Sequence, residues 1–161
     1  FKATSTTLFL GDDAKRRQYR SILSFNTASL PDNAVIVSAT LKLKKQGGTG
    51  GDPFGTHGTL LVDIRKSFFG ANVNLGLDDF AALASLNRAA VIGKTPVNGS
   101  YLGNLVGAGL PNINKLGYTQ FRLRFALDDD NDSIEDILSF YSGNAPIAAT
   151  RPVLEIVYYV P

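Results

Sequence analysis

The chain has 161 residues, 44% of them hydrophobic, which suits one ordinary domain with enough apolar material for a packed core. Its formal charge of +2 is too small for bulk nucleic-acid binding, and no apolar run reaches the roughly 20 residues of a membrane helix. The absence of Cys excludes a disulfide framework and thiolate metal sites. There is also no Met, and the chain begins at Phe1. That reads as processing from something longer, by loss of a leader or a cut between modules, and points to an extracellular or cell-surface setting.

Taken in chain order, residues 6–10 and 18–25 are weak strand signals. Residues 35–45 alternate strictly, with Val35, Val37, Ala39, Leu41 and Leu43 on one side and Ser38, Thr40, Lys42 and Lys44 on the other. Residues 47–58 are rich in glycine and read as a connector or as a lip over a binding face. Next, Leu60, Val62 and Ile64 face inward and Asp63 and Arg65 outward. Residues 78–90, from Asp78 to Ala90, read as a short helix, with acidic residues in the first turn and Phe80, Leu83 and Leu86 at three-residue spacing. A further strand lies near Tyr101. In residues 118–126 Phe121, Leu123 and Phe125 point in, while Gln120, Arg122 and Arg124 point out. Residues 137–141 and the run of Leu154, Ile156 and Tyr158 complete the set, with Glu155 outward. Many short strands, turn-rich connections and one helix predict an all-β antiparallel sandwich of the jelly-roll kind over residues 1–161.

The run Gln18-Tyr19-Arg20-Ser21-Ile22-Leu23-Ser24-Phe25, with Leu30-Pro31 and Val37-Ser38-Ala39-Thr40-Leu41-Lys42-Leu43, resembles the opening of the DNRLRE domain. Phe140-Tyr141-Ser142-Gly143 and Arg151-Pro152-Val153-Leu154-Glu155-Ile156-Val157-Tyr158 are similar to that family's close. The resemblance implies a secreted jelly-roll module of bacterial and archaeal surface proteins, some of whose relatives bind anionic polysaccharides such as alginate. It implies no catalytic residues. The family usually begins with one more strand than Phe1–Ser5 leaves room for. A missing strand would open an edge before Thr6 that a neighbouring chain can fill.

No constellation supports an enzyme. His57 is the only histidine, and it lies in the glycine-rich stretch with no nucleophile elbow nearby, so it is expected in solvent at a loop tip. Only two Glu, Glu135 and Glu155, are present, and they do not suggest a glycosidase pair. The outward basic residues Lys42, Lys44, Arg65, Arg122 and Arg124 form a candidate face for uronate or sulfate groups. An ordinary solvated face, with Glu155 and Asp63 pairing across strands, is the alternative. With no Trp, the aromatic platforms for sugar are limited to Tyr19, Tyr101, Tyr118, Tyr141, Tyr158 and Tyr159. Asp128, Asp130, Asp132 and Glu135 are candidate ligands for a structural Ca²⁺, and Asp12-Asp13 is a second contributor. Ser133 and Ser139 stand where an EF-hand needs Gly and Glu, and a solvated acidic turn is the alternative.

Two roles follow from these readings. One is a non-catalytic module binding polysaccharide or the cell surface. The other is a subunit of an extracellular filament or surface layer, in which one protomer's terminal strand completes the next protomer's sheet.

Overall fold

Alternation lets a strand bury one face, and the segments that alternate most strictly lie at the centre of this fold. The computed structural model describes residues 1–161. The strands are β1 (Thr7–Asp12), β2 (Gln18–Tyr19), β3 (Ser21–Asn26), β4 (Val35–Leu43), β5 (Lys45–Gly50), β6 (Leu60–Lys66), β7 (Leu86–Ile92), β8 (Tyr101–Asn104), β9 (Tyr118–Phe125), β10 (Asp136–Tyr141) and β11 (Val153–Tyr159). One helical turn, α1 (Pro53–Thr56), lies between β5 and β6. The smaller sheet runs β2-β1-β10-β5 and the larger β11-β4-β8-β7-β6-β9-β3, with every pairing antiparallel. This is the all-β sandwich that the alternation implies, and no helix is long and apolar enough to cross a membrane.

The core between the sheets is built by the alternating residues: Leu41, Leu43, Leu60, Val62, Ile64, Phe121, Leu123 and Phe125 from the larger sheet, and Leu8, Leu10, Leu138 and Phe140 from the smaller. Tyr101 stands edge-on to Phe140, with ring centroids 5.2 Å apart. Inward facing fails at the start of β4, where Val35 and Val37 are exposed. A bulge between Val157 and Tyr158 of the paired strand β11 breaks the register beside them.

Three expectations are corrected. Residues 78–90 are not a helix: a single 3-10 turn spans Asp78–Phe80, and Leu86–Ile92 is strand β7. The three-residue spacing of Phe80 and Leu83 belongs to an exposed loop, while Ala90 and Ile92 pair with Val62 and Leu60. Residues 47–58 are not one connector either. Lys45–Gly50 pairs with β10, and the absence of side chains at Gly47 and Gly48 suits a strand packed close to its neighbour.

The third correction concerns the outward face of the larger sheet. Gln120, Arg122 and Asp63 are all buried there, because residues 67–85 fold across it as a cover. The Phe69 N–H donates to Gln120 Oε1 (2.7 Å), Gln120 Nε2 donates to the Val73 carbonyl (3.1 Å), and Phe69 is itself fully buried. Strands β6 and β9 are thus covered on both faces.

β1 pairs with β10 along its whole length but with β2 only at Gly11 and Asp12, so Thr7–Leu10 has no strand on that side.

Candidate functional site

The smaller sheet brings Asp12 of β1 directly opposite Asp136 of β10. Glycine makes this approach possible. Gly11 has φ +113° and Gly50 φ +75°, and a Cβ at either would strike the backbone at Asp136 or Glu135. β1 and β5 therefore close on the start of β10 from both sides, and Gly51 leaves room for the Asp136 carboxylate.

Against these carboxylates stands His57, expected in solvent but only 1% exposed. The local sequence puts it there. Asp52 caps α1 by accepting from the Phe54 N–H, Pro53 occupies the first turn, and the His57 N–H closes that turn on the Pro53 carbonyl (2.8 Å). The Leu127 N–H then donates to the His57 carbonyl, tying the acidic loop to the same residue. The imidazole rests edge-on to Phe125.

His57 Nε2 lies 3.3 Å from Asp12 Oδ1, and Nδ1 lies 4.0 Å from Asp136 Oδ2 and 2.7 Å from Thr56 Oγ1. Asp12 Oδ1, His57 Nε2 and Asp136 Oδ2 are all buried without a hydrogen-bond partner. Each such atom costs about 1–3 kcal/mol, more when charged, so three in one place mark a site rather than a packing detail. Burial pushes the Asp12 carboxyl up, the nearby Asp129 carboxylate adds to this, and the neighbouring His57 opposes it.

Three groups of donor atoms overlap here, each lying within 4.8 Å of one another: Asp12, His57 and Asp136; Asp12, Asp129 and Asp130; and Asp130, Asp132 and Asp136. Of the four candidate calcium ligands, Asp130 and Asp132 join these groups. Asp128 instead forms a two-point pair with Arg20, and Glu135 belongs to none of the groups. Asp13, beside Asp12, is held by Arg17 and Tyr19, and the Arg17 hydrogen bond keeps its carboxyl well below the usual range. Neither Asp136 nor His57 is marked by spacing in the sequence. The one usable signal is a carboxylate next to glycine at a strand end, as in Gly11-Asp12.

Thr56, His57 and Asp12 are in line as hydroxyl, imidazole and carboxylate, the order of a nucleophile relay. The adjoining groove has Asp52, Pro53 and Phe54 in its wall but not Thr56.

The candidate basic face is dispersed by the fold. Arg122 and Arg124 both grip Asp63, at 3.0 and 2.9 Å, and Arg122 is 5% exposed. Arg65 donates to the Phe68 carbonyl, and Lys42 pairs with Glu155 at 2.6 Å. Lys44, like Arg65, has no carboxylate partner, and its ammonium lies beside Gly99 in the loop between β7 and β8.

That loop forms one wall of a groove of about 460 Å³. Its floor is β5 backbone at Gly48 and Gly50, its far wall is Phe54 and Tyr101, and Lys45 and Lys94 stand at its sides. The two rings are nearly parallel, 12° apart with centroids at 6.5 Å. Lys45 and Lys94 are exposed and make no ion pair, and Asp52 is the only acidic residue in the lining.

In comparison with known proteins, no family model matches this sequence and no curated protein matches it. The resemblance to the DNRLRE pattern therefore rests on the quoted segments within residues 18–43 and 140–158 alone.

Proposed function

We propose that this chain is a non-catalytic extracellular module that takes an acidic polysaccharide in the groove between β5, α1 and the β7–β8 loop. The observation that carries this reading is the pair of uncompensated lysines, Lys45 and Lys94, over a floor of glycine backbone beside Phe54 and Tyr101. Ammonium groups supply charge-assisted hydrogen bonds to uronate carboxylates, and bare backbone lets a flat ring approach closely. The DNRLRE-like segments point in the same direction.

Calorimetric titration with alginate, pectate and a neutral glucan tests this. Binding of an acidic polymer is expected, with Lys45→Ala/Lys94→Ala weakening it by roughly tenfold or more, the loss expected for two charged contacts. No heat with either acidic polymer, or unchanged affinity in the double variant, would overturn the groove.

A second reading, assembly into a filament or surface layer, draws on β11. This edge strand presents Val153, Val157, Tyr158 and Tyr159 exposed, with Glu155 as its only charge. The stretch Thr7–Leu10 offers a second free edge, on the other sheet. Free edges on both sheets suit head-to-tail strand addition. Sedimentation across a concentration series would show assemblies that Val157→Lys dissolves; monomers at every concentration would rule the reading out.

A further inference from the structure

We propose that Asp12, His57 and Asp136 bind one divalent cation of the kind that accepts imidazole nitrogen, with Zn²⁺ as the type ion. The groove reading is not needed for this.

The first support is the hydrogen-bond pattern around the ring. The Thr56 hydroxyl carries one proton and directs it at the Asp52 carbonyl (3.4 Å). Its oxygen can then accept from His57 Nδ1–H, 2.7 Å away. In that tautomer Nε2 is a bare lone pair facing Asp12 Oδ1, while Asp136 Oδ2, also unpartnered, lies 4.0 Å from Nδ1. Lone pairs turned on one another in a buried site are relieved by a cation between them. An acceptor that fixes the far ring nitrogen is also found around metal-bound histidines.

The second support is spacing. A charge-assisted N–H···O contact closes to about 2.7–2.9 Å, whereas Nε2 and Oδ1 stand 3.3 Å apart. Two donors that each lie about 2.0–2.1 Å from a tetrahedral Zn²⁺ are separated by roughly 3.3–3.4 Å, the distance found.

The third is the composition of the donor set. The buried donor set is one nitrogen and two carboxylates. Calcium takes six to eight oxygen ligands, so the imidazole favours a borderline ion over it. The role is structural, pinning β1, β10 and the turn of α1 at one point.

The test uses the whole chain. After removal of metal with dipicolinate, Zn²⁺ and Ca²⁺ are titrated by calorimetry into wild type and His57→Gln. The ring nitrogens of His57 are followed by ¹⁵N NMR, and as the only histidine it gives unambiguous signals. The expected result is one Zn²⁺ per chain, a metal-induced shift confined to Nε2 with Nδ1 still protonated, and at least about 100-fold weaker Zn²⁺ binding in His57→Gln. Absence of saturable Zn²⁺ binding in wild type would overturn the site. Binding of either ion with both ring nitrogens unmoved would overturn the nitrogen ligand, and so the assignment. If His57→Gln does not fold, the wild-type ring titration decides alone.

Discussion

Two buried carboxylates in this molecule, Asp63 and Asp12, are both almost fully hidden, yet one is satisfied and the other is not. Asp63 receives Arg122, Arg124 and the backbone N–H of Arg88, whose positive φ of 55° aims that donor inward. Burial alone would raise the Asp63 carboxyl. The hydrogen bonds from Arg124, the Arg88 N–H and Arg122 outweigh it, and the group is held below its usual range. Asp12 is pushed the other way and faces a second carboxylate and a ring nitrogen without a closed hydrogen bond. The lesson is that burial does not identify a site, whereas burial combined with unpaired atoms does. Asp63 is architecture; Asp12 waits on something else.

The difference can be broken most forcefully at Asp63. Asp63→Asn leaves two guanidinium groups short of their counter-charge and is expected to cost about 3–5 kcal/mol in urea unfolding. A cost below 1 kcal/mol would mean that solvent reaches the pair. The same residue governs acid sensitivity. Because its folded pKa is depressed, its stabilisation is present above its unfolded value near 3.9 and is lost as pH falls through the lower folded value. A wild-type unfolding profile should therefore decline below about pH 4, and the decline should be shallower in Asp63→Asn.

At the contrasting site, Asp136→Asn in metal-stripped protein removes one of two facing carboxylates. Stability is expected to change by less than about 1 kcal/mol, in either direction, when measured the same way. A loss as large as at Asp63 would erase the distinction. The smallest effect is expected at the surface, where Lys42→Ala breaks the exposed pair with Glu155 and should cost about 0.5 kcal/mol or less.

The legible and illegible parts of this fold differ in a specific way. Alternation identified which side of β6 and β9 faces the core, because Val62, Ile64, Phe121 and Leu123 repeat with period two. Alternation says nothing about whether the opposite side is wet. Arg122 and Asp63 read as solvated until residues 67–85 are seen to lie over them. The helix expected over residues 78–90 failed for a related reason: acidic residues and a three-residue apolar spacing also suit an exposed turn leading into a strand. His57 was misplaced because glycine-rich sequence signals turn geometry, not depth. Its burial arises from Asp12 and Asp136, distant in sequence and joined only by strand pairing. In the acidic run, turn chemistry was readable, but the diversion of Asp128 to Arg20 was not.

The cover over the larger sheet is fastened by Gln120, Arg20 and Arg122. Arg122 Nη1 reaches the carbonyls of Asp79, Phe80 and Ala82, while its other nitrogens hold Asp63. Lifting residues 67–85 takes three acceptors from Arg122 and opens Asp63 to water, while Asp63 keeps Arg122, Arg124 and the Arg88 N–H, all of which lie outside the cover. The Phe69 amide proton is therefore expected to exchange with solvent before that of Arg88.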